Sequence, residues 1–218
     1  MPRVTFATVS TVKPDRLEDA IELGRSAGKL MARHRGAGRL FSAGMAGEQT
    51  GSMLFTVQFD SIEQAAAAID AMMADSEVTE FMNSMARSTS PTVLVSSSMA
   101  TEIPLAGKLP QGKGSVLEVH VTKPTPGRFD TMIEEATKAG GLLAKAGAAN
   151  ILAFQIGYAG MQSGLTGMAI EWESSKAQLL GSSVFTTDPV GQELATTMMN
   201  GTGGSTLVTS GVYHEIPL

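Results

Sequence analysis

Residues 4–12, VTFATVSTV, alternate apolar and polar side chains, and residues 115–122, SVLEVHVT, do the same. A period of two sends successive side chains to opposite faces, so each stretch predicts a strand. Behind the first, Leu17, Ile21, Gly24, Gly28 and Met31 step by four and three along one helical face; behind the second, Phe129, Ile133, Ala136, Gly140 and Leu143 repeat the step. Pro14 opens the first helix in this reading. In the second, Thr125 is the expected N-cap and Pro126 the first helical residue. A hairpin follows in each case, with GEQTG (47–51) or GMQSG (160–164) between two strand-like runs. A second helical region, broken near Asp75 or at Asp188-Pro189, then leads to a last strand ending in EIPL.

The recurrence extends to individual residues. At an offset of 113, AGEQTG (46–51) falls on AGMQSG (159–164), Ser61 on Ser174, Asp75 on Asp188, Glu80 on Glu193, and LVSS (94–97) on LVTS (207–210). The same offset lays TEIPL (101–105) on HEIPL (214–218), and about a quarter of positions from 43 to 105 are identical without a gap. Upstream the offset is 112, because KPTPGR is longer than KPDR. The expected organisation is module 1 over residues 1–105, a linker AGKLPQGKG over 106–114, and module 2 over 115–218.

Strand, helix, strand, strand, helix, strand is the split βαβ order of an α+β, ferredoxin-like βαββαβ module: a four-stranded antiparallel sheet with helices on one face. The bare face needs cover. Two such sheets packed face to face supply it within one chain, with the EIPL strands as the closing strands that reach across to the other half.

Composition narrows the function classes. The 218 residues are 43% hydrophobic and 17% charged, a balance that suits a packed protein. A net charge of −5 gives no general attraction for nucleic acid or for an anionic membrane surface. Cysteine is absent, which removes disulfides, thiolate nucleophiles and thiolate metal sites. With no signal-peptide pattern in MPRVTFATVS and no long apolar run, the expected location is cytoplasmic.

The stretch AIEWESSKAQLLGSSVFTTDPVGQEL (169–194), a strand ending in aromatic, acid and serine before a broken helix, resembles the dimeric α/β-barrel superfamily, in particular its antibiotic-biosynthesis-monooxygenase-like and NIPSNAP-like groups. TVQFDSIEQAAAAIDAMMADSEVTEF (56–81) has the same layout with Phe59 in place of Trp172. The resemblance implies a tandem single-chain barrel. It also implies a role among cofactor-independent oxygenases of aromatic or polyketide-like molecules, haem-degrading enzymes, isomerases or cyclases. It marks Trp172 as a residue that shapes the site. The histidine that the haem-degrading pattern places in the second helical region is missing, since none lies between Trp172 and His214. The expectation is therefore an enzyme without a cofactor.

Strand parity sorts the candidate chemistry. Met168, Ile170 and Trp172 share one face with Phe55, Val57 and Phe59 opposite them in module 1, and this apolar set is expected under the helices. If the polar faces turn into the space between the sheets, Glu118, His120 and Glu171 converge there. Such a group can be a structural hydrogen-bond network, a general acid–base pair of His120 with Glu118 or Glu171, or a His/carboxylate metal site that adds His214. The expected catalytic group is Glu118, His120 and Glu171, with no metal. Small residues at Gly24, Gly28, Ala136 and Gly140 permit either close helix–sheet approach or a cavity. A ligand pocket lined by Phe154, Tyr158, Met168, Trp172 and Met198 is expected between sheet and helices. Arg33, His34, Arg35 and Arg39 read as helix-end charge or as an anion gate. GTGGS (201–205) follows a helix and reads as a turn, not a phosphate cradle.

The leading expectation is a small-molecule enzyme, a cofactor-independent monooxygenase-like protein whose partner is a small apolar or aromatic molecule. The competing expectation is a non-catalytic ligand-binding or assembly scaffold, and a further homo-oligomer stays open. An enzyme with one working site should carry a ligand-sized cavity in the second half only, whereas a scaffold should be close-packed in both.

Overall fold

The computed structural model describes residues 2–158 and 160–218, so Ala159 of the second AGMQSG turn lies outside the described residues. The first half comprises β1 (Val4–Val12), α1 (Leu17–Arg33), β2 (Ala37–Met45), β3 (Ser52–Phe59), α2 (Ile62–Ala74), α3 (Ser76–Ala86) and β4 (Thr92–Ile103). The second comprises β5 (Val116–Pro124), α4 (Phe129–Lys145), β6 (Asn150–Tyr158), β7 (Thr166–Trp172), α5 (Ser175–Ser182), α6 (Val184–Thr187), α7 (Pro189–Asn200) and β8 (Ser205–Ile216).

Local chemistry sets most of the boundaries. The Ser61 and Ser174 hydroxyls accept from Gln64 N and Ala177 N at the starts of α2 and α5. Asp75 accepts from Glu77 N, and Asp188 from Val190 N and Gly191 N, which starts α3 and α7 where the sequence breaks. α1 and α4 begin later than expected. Asp15 and Gly127 have φ of 59° and 74°, so the chain turns there and enters the helix only after Arg16 and Arg128. Thr125 accordingly caps nothing; its hydroxyl donates to Gly203 O.

All eight strands form one closed antiparallel barrel in the order β1-β3-β2-β8-β5-β7-β6-β4, with β4 returning to β1. Each half supplies a ferredoxin-like sheet, β4-β1-β3-β2 or β8-β5-β7-β6, and the two face each other across the interior. Their edges are sewn by β2–β8 and β4–β6 pairs. Here the repeated EIPL finds its use, since Glu215 and Ile216 pair with Phe41 and Leu40, and Glu102 and Ile103 with Phe154 and Ala153. The chain after each closing strand continues onto the other half. A Cβ on Gly28 of α1 would meet Leu218 at 2.8 Å, and one on Gly140 of α4 would meet Leu109 at 3.4 Å. The fold is thus α+β, two βαββαβ modules closed as a tandem barrel.

An eight-stranded barrel is just wide enough for side chains to fill. Phe41, Ala43, Leu54, Leu117 and Tyr213 fill this one, with Val9, Val119 and Ala169 packed against them. The outer faces lie under the helices: Val57 and Phe59 against Ala65 and Ala68 of α2, and Ile170 and Trp172 against Leu143 of α4 and Phe185 of α6. The expected placing of the Met168/Ile170/Trp172 face is the observed one. At one end of the barrel Arg39 ties the halves together, pairing with Glu171 at 2.8 Å and Glu215 at 2.9 Å.

Candidate active site

The floor of the candidate site is a single row across the second sheet. Ile103, Ala153, Met168, His120 and Ser210 stand opposite one another on β4, β6, β7, β5 and β8. α4 roofs this row with Met132, Ile133, Glu135, Ala136 and Ala139, while Phe185 of α6 and Leu194, Met198 and Met199 of α7 close the side. Between floor and roof is a largely apolar cavity of about 260 Å³. A dry cavity of about 150 Å³ accepts benzene, so this one has room for two fused rings.

The cavity has a local cause, visible against the first half. Leu40 occupies the position of Ala153, Phe55 that of Met168 and Met53 that of Thr166. Leu40, 2% exposed, packs with Met53, Ala20, Ile21 and Phe55 into a solid cluster under α1. A Cβ on Gly24 would come within 2.6 Å of Leu40, so glycine there permits close approach. Its counterpart Ala136 instead lines the void. Both readings of the small residues are realised, one in each half.

Beside the cavity stands a polar group absent from the first half. Glu118 Oε1 is 3.0 Å from His120 Nε2. Its Oε2 accepts from Trp172 Nε1 at 3.1 Å, Gln178 Nε2 at 3.1 Å and Ser182 Oγ at 2.6 Å. Burial pushes the Glu118 carboxyl up, but the hydrogen bond from His120, the charge of that ring and the Ser182 and Gln178 donors outweigh it. The net effect holds it below the usual carboxylate value. An ionised carboxylate only accepts, so His120 Nε2 is the donor, and a neutral ring then carries its lone pair on Nδ1. Nδ1 is buried and has no hydrogen-bond partner. In the first half the corresponding residues are Phe6, Thr8, Phe59, Ala65 and Ile69, and Phe6 packs edge-to-face on Phe59 at 5.8 Å.

Strand parity held for β7 and inverted for β5. The apolar face of β5, Leu117 and Val119, turns into the barrel, so Glu118 and His120 point out under the helices. Glu171 pairs with Leu117 and faces the barrel's end, where it accepts from Asn150 Nδ2, Gly114 N and Arg39. The structure brings Glu118 and His120 together and leaves Glu171 on the opposite face. Of the expected pocket residues, Met168 and Met198 line the cavity. Trp172 is wholly buried behind Glu118, Tyr158 is 73% exposed beside the hairpin, and Phe154 stands with Gly167 on the barrel side of the sheet. His214 bonds Ser175 at 3.0 Å. Among the described residues no three of His, Asp and Glu gather as a metal site.

Three members of the basic cluster have acidic partners. His34 Nε2 lies 3.0 Å from Asp75, Arg33 pairs with Asp75 and Glu77, and Arg39 belongs to β2 and the barrel-end network. Gln178, Ser182, Glu135 and Ala153 are the site residues that periodicity alone passes over. Comparison of the halves exposes each, because the first has Ala65, Ile69, Leu23 and Leu40 there.

No family model matches the chain, and no curated protein matches its sequence. Solved structures do match its shape. A candidate monooxygenase from Fusobacterium nucleatum superposes with a TM-score of 0.65 at 10% identity, covering 98% of this chain and 91% of that one. An anthrone oxidase-like protein gives 0.63 at 13% identity, covering 99% and 92%. A ferredoxin-fold protein from Listeria monocytogenes related to antibiotic biosynthesis monooxygenases gives 0.53 at 13%, covering 100% and 96%. At these identities the likeness is one of fold: two ferredoxin-like modules joined in one chain. The protein has the dimeric α/β-barrel fold within a single chain, a fold it shares with these structures. Among the described residues no helix is long and apolar enough to cross a membrane.

Proposed function

We propose that the protein is a cofactor-independent monooxygenase-like enzyme that oxygenates a small hydroxylated aromatic or polyketide-like molecule in the cavity of its second half. The observation that carries this reading is His120: Nε2 is held by an anchored carboxylate, Nδ1 has no protein partner, and the ring borders an apolar cavity. That arrangement suits a general base for a weakly acidic phenol in a largely apolar site. The anthrone oxidase-like and monooxygenase-related neighbours have the same fold, which favours oxygen as co-substrate.

For His120 Nδ1, a buried atom, to take the phenolic proton, the ring turns that nitrogen toward the cavity on binding, and Glu118 stabilises the imidazolium that forms. The phenolate's electrons move to the ortho ring carbon, which bonds to O2 by electron transfer and recombination. Loss of the hydrogen on that carbon then breaks the O–O bond. One ring C–H and one O–H become a quinone, and one O2 leaves one oxygen in the product and one in water. Glu171, on the far face, takes no step, and Trp172 acts through Glu118 by orienting it.

Oxygen uptake with 2-naphthol and 2,6-dihydroxynaphthalene tests the reading. One O2 should be consumed per quinone formed, and His120→Ala should slow turnover by about 10²–10⁴-fold. No uptake across such a panel removes the enzyme reading; uptake unaffected by His120→Ala removes the site. A molecule that binds without turnover would support the scaffold reading instead.

A further inference from the structure

Glu135 has no part in the steps above, yet it lines the same cavity. It sits on α4 where the first half has Leu23, so a carboxylate has taken the place of an apolar side chain. Its Oε2 accepts from Gly204 N at 2.9 Å. The loop that supplies this donor is shaped around it. A Cβ on Gly203 would meet the two carboxylate oxygens at 2.6 and 2.8 Å, and one on Gly204 would meet the backbone of Met132 at 2.2 Å. Thr125 N and Oγ1 fasten the loop by donating to Gly204 O and Gly203 O. In the first half Ser90 and Pro91 stand where these glycines are. The carboxylate and the two glycines that let the loop reach it therefore occur together in one half, the half with the cavity.

A carboxylate beside an apolar void is costly unless hydrogen-bond donors satisfy it. One backbone N–H serves Oε2, and no described residue donates to Oε1. The Gly203–Gly204 loop meets Thr125, five residues and so roughly 16 Å of strand along from His120, which puts Glu135, held by that loop, toward the other end of the cavity lining from His120. Resting on the oxygenase reading, we infer that Glu135 is a specificity-determining residue that selects substrates with a hydrogen-bond donor, such as a second hydroxyl, at the end remote from the proton His120 takes. The substrate class is then an elongated aromatic diol, not a monophenol.

Anaerobic binding of 2,6-dihydroxynaphthalene, 2-naphthol and 6-methoxy-2-naphthol, measured by calorimetry, separates this claim from the catalytic one. The intact protein should bind the diol about tenfold more tightly than either monophenol, the worth of one charge-assisted hydrogen bond. In Glu135→Leu the three affinities should converge within about twofold; Glu135→Gln, which keeps an acceptor, should retain part of the preference. Equal affinity for diol and methoxy-naphthol in the intact protein overturns the assignment without any variant, and so does a preference that survives Glu135→Leu. Binding without discrimination leaves the oxygenase reading standing. Failure of all three to bind removes the cavity as the site, and the role of Glu135 with it.

Discussion

Trp172 is wholly buried, and its indole N–H ends on Glu118 Oε2. Its value is therefore electrostatic and positional. Trp172→Phe keeps most of the packing and removes one donor to a buried carboxylate, which should cost about 1–3 kcal/mol of stability. It should also lower kcat with little change in KM, because the indole is not part of the cavity lining; thermal melts and steady-state kinetics on one preparation check both. The same carboxylate gives a pH signature. Its folded pKa lies below the unfolded value, so the stability it contributes is present above about pH 4.3 and is lost as pH falls through the folded pKa. Glu102 and Glu215 are depressed in the same direction, each against the upward push of burial, by Arg3 and by Arg39 with Lys113. The melting temperature should therefore decline steeply below about pH 4.3, and less steeply in Glu118→Gln. Parallel curves for the two proteins would show that the Glu118 cluster does not bind its charge as described.

On the scale of elements, small residues decide how the space between each sheet and its helices is filled. A Cβ on Gly181 of α5 would lie 2.0 Å from the Trp172 ring, whereas the first half pairs Ala68 with the smaller Phe59. Indole and glycine, or phenyl and alanine, fill one volume in two ways. Gly181→Ala should push the ring off Glu118 and cost about 1–3 kcal/mol, and Trp172→Phe in the same chain should recover part of that loss, a coupling that a double-mutant cycle measures. Ala153→Leu restores the first half's filling. It should abolish naphthol binding while leaving the melting temperature equal or higher, whereas Leu40→Ala should cost about 2–5 kcal/mol. Much of this architecture was legible beforehand: the helical stripes, the breaks at Asp75 and Asp188, and the outward face of Trp172 follow from spacing and capping. The direction of β5 was not, because Leu117–Val119 and Glu118–His120 alternate equally well either way round. Only barrel closure, which demands an apolar interior around Phe41 and Tyr213, selects one. Nor does a cavity announce itself in a single run of sequence; Ala153 signals one only when set beside Leu40.

At the level of the whole molecule, the halves are unequal partners in one enclosure. Phe41, Ala43 and Leu54 of the first meet Leu117 and Tyr213 of the second inside the barrel, and Ile103 of the first completes the cavity floor of the second. The connecting segment is pinned in part, with Gly112 N donating to Ala149 O at 2.7 Å and Gly114 N to Glu171 Oε2 at 2.9 Å. Gly107, by contrast, has φ of 93° and open space around it. Cutting the chain at Gly107 should therefore leave a non-covalent complex that melts in a single transition, now at a temperature that rises with concentration because closure has become bimolecular. Each fragment alone would bare its interior-facing side chains and the edges that β2, β4, β6 and β8 normally share, so it should self-associate or unfold, and size-exclusion chromatography with light scattering would distinguish the two. Naphthol binding should be absent from residues 108–218 alone and return on mixing with residues 1–107. If instead the cut pieces separate as folded monomers, or the second piece binds ligand unaided, the barrel interior is not what holds the site in shape.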